Sequence, residues 1–317
     1  MLTTDQTPRM RRRFGSLLLA FALVTSAAAL APGAVSGAAS PAAAQARLQD
    51  VARNTGAAST MTFAMETDIS FTVRGKRSRG KMIGTGQVDR AAKRSSMTLD
   101  MSSFMQAMAA SSGQPLPREL QDPAVLTMQV IGIGSKVYLS FPMLNLVTPG
   151  SPTKPWVVVD ASALGINAGD VAAAQGADPT AGLEYLKGLG SNATEVGPEM
   201  VDGVVTTRYR GAISLEQLLA SVAPAQRAQA RTLFGASPST PVDVWVDAQG
   251  RARRMDVTIS MSEPGQSVTM KVSYRFSKFG EPVRISAPPA SQVASATENP
   301  AMAAAIEQAA AQRRAAS

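Results

Sequence analysis

The chain of 317 residues contains no cysteine and no histidine, carries a net charge of +8, and is 45% hydrophobic but only 5% aromatic. Without those two residue types it has no disulfide, no thiolate nucleophile, no Cys/His zinc site and no imidazole general base. With so few rings, a core must be filled by aliphatic side chains and by the 16 methionines.

Residues 1–46 read as a targeting segment. Arg9, Arg11, Arg12 and Arg13 form a basic start, and "FGSLLLAFALVTSAAAL" (14–30) is apolar and uncharged. Ala44-Gln45-Ala46 has the small-x-small form of a cleavage site, with Ser36-Gly37-Ala38 as a second candidate. Export with cleavage before Arg47 is expected. The alternative is an uncleaved N-terminal anchor, since 17 apolar residues can just span a bilayer. Cleavage removes four Arg and one Asp and takes the charge from +8 to +5. Nucleic acid is not an expected partner for such a chain in an exported compartment. The remaining length suits one domain, or at most two.

The mature chain opens with a short helix, "ARLQDVARNTGA" (46–57). In "STMTFAMETDISFTV" (59–73), Met61, Phe63, Met65, Ile69, Phe71 and Val73 share one face, while Thr62, Glu66, Asp68, Ser70 and Thr72 share the other. This alternation predicts a strand of an antiparallel sheet, dry on one side and wet on the other. "RGKRSRGK" (74–81) follows as a basic hairpin tip. It reads as a solvated turn or, through Arg74, Lys76, Arg77, Arg79 and Lys81, as a contact for anionic lipid head groups or cell-wall polymer.

Strands are expected at 80–89, 94–101, 124–133, 136–141 and 155–160, with a helix at 102–110. "GIGSK" (132–136) joins two strands as a tight turn and lacks the spacing of a phosphate-binding loop. Helices are expected at 168–175 and 180–189, then a strand at 193–201. "DGVVTTRYRG" (202–211) places Val205, Thr207 and Tyr209 on one face and Thr206, Arg208 and Arg210 on the other, with Gly211 ending the run. Ser214, with Gln217 three residues on, has capping-box spacing for a helix over 214–234, bent at Pro224.

A strand at 240–247 turns through Ala248-Gln249-Gly250 into one at 253–261, where Met255, Val257, Ile259 and Met261 alternate with polar residues. The last strand, 267–277, alternates Val268, Met270, Val272, Tyr274 and Phe276 with Thr269, Lys271, Ser273 and Arg275. Residues 291–317 read as an Ala-rich tail, a loose helix or disordered. The plan is α+β: a single domain over 47–290, with about ten strands in one antiparallel sheet and helices on its dry face.

Catalytic patterns are weak. "SPTK" (151–154) has S-x-x-K spacing but lies among prolines without partner motifs. "NAT" (192–194) matches a glycosylation acceptor, which carries little weight in a prokaryote-like exported chain. Asp243 and Asp247 share a strand face, and edging a hairpin suits them better than acid/base work. No enzymatic activity, no metal and no cofactor is expected.

Methionine is more informative. Fourteen of the 16 lie beyond residue 46, many at inward strand positions such as Met61, Met65, Met97, Met101, Met128, Met255, Met261 and Met270. A flexible, polarizable side chain suits either an irregular core or a cavity that accepts varied apolar partners. Periodicity leaves both open. If the face is a cavity, its expected lining is Phe63, Met65, Met97, Leu99, Met128, Val130, Val257, Ile259, Met270 and Val272.

The order of "KPWVVVD" (154–160), "TEVGPEMVDGVVTTRYRGAISLEQL" (194–218), "VDVWVDAQGRARRMDV" (242–257) and "YRFSKFGEPVRISAPPA" (274–290) resembles the LppX/LprG-like envelope lipoproteins of actinobacteria. That family is similar in turn to Lol-type periplasmic lipoprotein carriers. The resemblance covers about residues 47–290. It implies a strongly curved antiparallel half-barrel, helices capping its concave apolar face, and binding or carriage of acylated lipid or glycolipid in the cavity beneath. One departure stands out: the region of the usual lipobox reads "LVTSAAALAPGAV" (23–35), without its Cys. The protein is therefore expected to be soluble in the envelope space or secreted, unless an uncleaved segment holds it. The alternative function is an envelope interaction or sensor module, with the same fold and a closed core.

Overall fold

The computed structural model describes residues 41–73, 75–147, 154–160, 193–216, 231, 239–263, 266–295 and 298. One sheet organises them. Its strands, in chain order, are β1 (Thr60–Val73), β2 (Lys76–Asp89), β3 (Arg94–Asp100), β4 (Thr127–Ile133), β5 (Lys136–Ser140) and β6 (Trp156–Asp160). Then come β7 (Thr194–Val201), β8 (Val204–Ser214), β9 (Ser239–Asp247), β10 (Ala252–Glu263), β11 (Gln266–Ser277) and β12 (Val293–Ser295). The spatial order is β12-β6-β5-β4-β3-β2-β1-β11-β10-β9-β8-β7, so β12 and β7 are the two ends of a 12-stranded sheet. Every pairing is antiparallel except that of β12 with β6. The helices are α1 (Pro41–Gly56), α2 (Ser102–Ser112) and α3 (Pro142–Val147).

The alternation seen in the sequence becomes burial. Met61, Phe63, Met65, Ile69 and Phe71 on β1 are all 3% exposed or less, while Glu66 and Asp68 between them face water. The two long central strands, β1 and β2, pair from Thr60↔Asp89 to Val73↔Lys76 without a slip. Each stacks its inward residues beside those of the next strand.

Helix α1 presents Leu48, Val51, Ala52 and Thr55, a stripe at helical spacing, and all four are buried. Thr55 Oγ1 accepts the Ala252 backbone N–H at 2.9 Å, fixing α1 to the start of β10. Helix α2 starts where Asp100 Oδ1 accepts the Ser102 N–H at 2.8 Å. It ends at Gly113, whose φ of 74° a side chain would resist. It lies directly on β2 at Gly80: a Cβ there would meet Phe104 Cα at 2.6 Å. The apolar residues of both helices join one core cluster with the inward residues of the sheet.

Several boundaries differ from expectation. Most of the basic stretch 74–81 is not a tip: β2 begins at Lys76, just after Gly75 at φ 79°. The reason is alternation, since Ser78, Gly80 and Met82 face the core side while Arg77, Arg79 and Lys81 face out. β8 does not end at Gly211, which pairs with Val242, and runs on to Ser214 because Ile213, 1% exposed, still packs inward. β4 starts at Thr127 rather than 124, because Asp122 draws the preceding residues into a turn by accepting the Ala124 N–H at 2.9 Å.

β12 extends the sheet past residue 290, into what reads as tail, and Lys154 Nζ donates to the Val293 carbonyl at 3.0 Å beside it. The described residues thus hold 12 strands in the sheet rather than about ten. The turns at "GIGSK" and at Ala248-Gln249-Gly250 are tight hairpins, with Gly134 at φ 58° and Gly250 at φ 71°. The helices expected at 168–175 and 180–189, and most of 214–234, lie outside the described residues, as do Ser151 and Asn192 of the "SPTK" and "NAT" patterns.

Candidate functional site: the apolar face of the sheet

All ten residues proposed from the sequence stand on one face. Phe63, Met65, Met97, Leu99, Val130, Val257, Ile259, Met270 and Val272 belong to a single core cluster, and partly buried Met128 packs against it. The register explains the gathering. Phe63 lies opposite Gly86 and Phe276, Met97 opposite Val130, Leu99 opposite Met128, Val257 opposite Val272, and Ile259 opposite Met270. Strands far apart in the chain therefore contribute to one continuous apolar surface.

The face is buried. The nine clustered residues are each 5% exposed or less. Two glycines on β2 make this fit: the Phe63 ring lies over Gly86, where a Cβ would collide with it, and Met65 and Leu99 reach within 3.4 Å of a Cβ built on Gly84. Phe71 meets Phe104 of α2 edge to face at 6.1 Å, and Tyr274 stacks along Phe276 at 6.2 Å. An opening of about 360 Å³ lies to one side, at the end of α2, lined by Gln106, Ala109, Ala110, Gly113, Gln114, Pro115 and Leu116. Along the buried face, Met methyls and Leu termini are held by no directional bond.

Polar groups enter this face at few points. Tyr209, 4% exposed, has its phenol pushed up to about 12, first by burial and then by Glu195 beside it. Tyr274 shifts the same way through burial alone. Thr67, on β1 between Met65 and Ile69, is 0% exposed, and its Oγ1 has no hydrogen-bond partner among the described residues. The sequence reading missed Thr67. Its signal was available, as the one polar residue at an inward position of β1.

The opposite face is charged and ordered. Trp245 is 2% exposed because Arg208 and Arg254, its register partners on β8 and β10, lie over its ring at 4.8 and 4.6 Å. Asp256 takes two hydrogen bonds from Arg254, at 2.8 and 2.7 Å, and an ion pair from Lys271 at 2.9 Å. Burial raises its carboxyl, but these partners outweigh burial and hold it below the usual aspartate range. Asp247 is shifted down likewise, against burial, by the Arg251 N–H and by the Arg253 and Arg251 side chains. Asp243 binds Arg208 at 2.9 Å and Arg210 at 3.0 Å. Asp243 and Asp247 are thus taken up by arginines at a hairpin and its flank.

Of the basic residues considered for membrane contact, Lys76, Arg77 and Arg79 are exposed on β2, and Arg74 lies outside the described residues. Lys81 is turned to Glu66 and Asp68, which raise its pKa, the Glu66 hydrogen bond most. Among the described residues no helix is long and apolar enough to cross a membrane.

Residues 152–285 match the family model of the LppX_LprAFG lipoproteins, which bears out the LppX/LprG-like resemblance read from the sequence. No curated protein matches the chain. Among solved structures, the chain is similar to LprF from Mycobacterium bovis, at 15% identity and a TM-score of 0.36, over 77% of this chain and 96% of that one. It is similar to lipoprotein LppX from Mycobacterium tuberculosis at 12% identity and a TM-score of 0.34, over 76% and 97%. A LolA superfamily protein from Nitrosomonas europaea aligns at 6% identity and a TM-score of 0.23, over 77% and 94%.

Proposed function

We propose that this chain, LppX/LprG-like in sequence, is a non-enzymatic cell-envelope protein that binds acylated lipid or glycolipid against the apolar face of its sheet. The observation that carries the reading is the continuous apolar surface. It runs across β4, β3, β2, β1, β11 and β10, is rich in methionine, and is built from inward residues of strands whose outer positions are mostly polar. On this reading the sheet curves as a half-barrel, with helices over its concave side, in a domain over 47–290. An acyl chain enters by displacing Met and Leu side chains, and each methylene it buries contributes about 0.8 kcal/mol.

The protein is exported, loses residues 1–46, and works in the envelope space or outside the cell without a lipid anchor of its own. Lys76, Arg77 and Arg79, with Arg74 close by in the sequence, meet anionic head groups at the donor or acceptor surface. Lys81 contributes less, being paired with Glu66 and Asp68.

A second reading, an interaction or sensor module with a permanently closed core, is favoured by the near-complete burial of the nine clustered residues. One experiment separates the two. Natively purified mature protein is extracted and analysed by lipid mass spectrometry, beside Val257→Trp. Stoichiometric lipid that Val257→Trp displaces without unfolding supports the carrier. Absence of lipid, with Val257→Trp losing about 1–3 kcal/mol of stability, supports the closed module.

A further inference from the structure

A hydroxyl buried in hydrocarbon without a partner forfeits both its donor and its acceptor bonds, and native proteins rarely leave one so. Among the described residues, Thr67 is such a group. It sits at the middle of β1, the seventh strand of 12, with Val272 of β11 and Met82 of β2 as register partners and Met65 and Ile69 as inward neighbours along its own strand. Those neighbours are each 3% exposed or less, and Thr67 itself is 0% exposed. Valine has the same shape and would complete the apolar surface without an orphaned group. With no partner among the described residues, the hydroxyl would be satisfied by a polar group carried in along that face.

Resting on the lipid-binding reading, we propose that Thr67 is a specificity-determining residue whose Oγ1 donates a hydrogen bond to an ester carbonyl of the bound lipid. The acyl chains then run over Met65 and Met82 to either side. Apolar packing grips alkyl chains without regard to their linkage. A single fixed donor in that packing discriminates an ester-linked lipid from a bare hydrocarbon, because only the ester offers an acceptor at that depth.

Delipidated, natively purified protein is titrated with dipalmitoylglycerol and with hexadecane, for the wild type, Thr67→Val and Thr67→Ser. The expected result is about tenfold weaker binding of dipalmitoylglycerol by Thr67→Val, with hexadecane unchanged and Thr67→Ser close to wild type. Unliganded Thr67→Val should also melt higher than wild type, since it removes an unpaired hydroxyl. Equal loss for both ligands, or loss for neither, overturns the assignment while leaving lipid binding in place. A lower melting temperature for unliganded Thr67→Val also overturns it, by showing that the hydroxyl has a partner within the protein. If the wild type binds neither ligand, the lipid-binding reading falls and this proposal with it.

Discussion

On strands β8 to β11 the outward residues Arg208, Trp245, Arg254 and Asp256 meet through stacked guanidinium groups and short ion pairs. The inward residues of the same strands, Ile213, Val244, Val257 and Val272, meet only through apolar contact. The outer bonds depend on angle and distance, so they fix the relative position of the strands. The inner contacts depend on area, so they tolerate exchange of one hydrocarbon partner for another. On the proposed carrier reading, a sheet locked on one side and repackable on the other opens to an acyl chain without losing its register.

The comparison breaks most severely where the inner face has no slack. At Gly86 a side chain would strike the Phe63 ring and the Ser96 carbonyl, one stiff and the other backbone. Gly86→Val is expected to cost about 3 kcal/mol or more, read as a lower urea midpoint. A loss below about 1 kcal/mol would mean that even this part of the inner face repacks freely.

The next largest effect lies on the outer face. Asp256→Asn leaves Arg254 and Lys271 without their shared carboxylate, and should cost about 1.5–3 kcal/mol at neutral pH. The acid limb gives the sign independently. Asp256 and Asp247 are held below the ordinary aspartate range in the folded protein. Their stabilisation is therefore fully present above about pH 4 and is lost as pH falls through their lower folded values. Urea midpoints measured from pH 6 to pH 2 should drop for the wild type and drop less steeply for Asp256→Asn. Parallel curves would show that the pair contributes nothing to acid stability.

Arg254→Lys is milder. It keeps the charge but loses the planar fork on Asp256 and the stacking on Trp245, for an expected cost of about 1 kcal/mol. Trp245 fluorescence should change together with the urea midpoint, since the ring loses one of its two covers. An unchanged spectrum would place the stacking outside the lock.

Much of this division was legible in the sequence, because period-two alternation reports which residues share a face. The strands at 59–73, 94–101, 253–261 and 267–277, and the ten residues that share the inner face, follow from that alone. What alternation cannot report is register. That Arg208 and Arg254 cover Trp245 depends on which residues of β8 and β10 lie opposite it. The basic run at 74–81 reads as a tip because Gly and charge resemble a turn, although Gly80 is required by α2 above it. β12 has three residues and a parallel partner more than 130 positions away, so no local pattern announces it. Thr67 is visible by position, but its missing partner is visible only in three dimensions.

The smallest expected effect on stability is the sharpest test of the repackable face. Met65, Met97 and Met270 are each 5% exposed or less, and replacing all three with leucine nearly conserves volume. Met97 and Met270 lie on strands to either side of Met65, on β3 and β11, and a sum of small terms is expected. The triple variant should lose less than about 1 kcal/mol at equilibrium. Leucine, however, branches at Cγ and has fewer rotamers to offer an entering chain. If acyl chains enter by displacing methionine side chains, the variant should take up lipid several-fold more slowly in a stopped-flow assay with a fluorescent fatty acid. Wild-type uptake at unchanged stability would show that entry does not pass over these three residues. The repackable part of the face would then have to lie toward Val257 and Ile259, at the far side of β11.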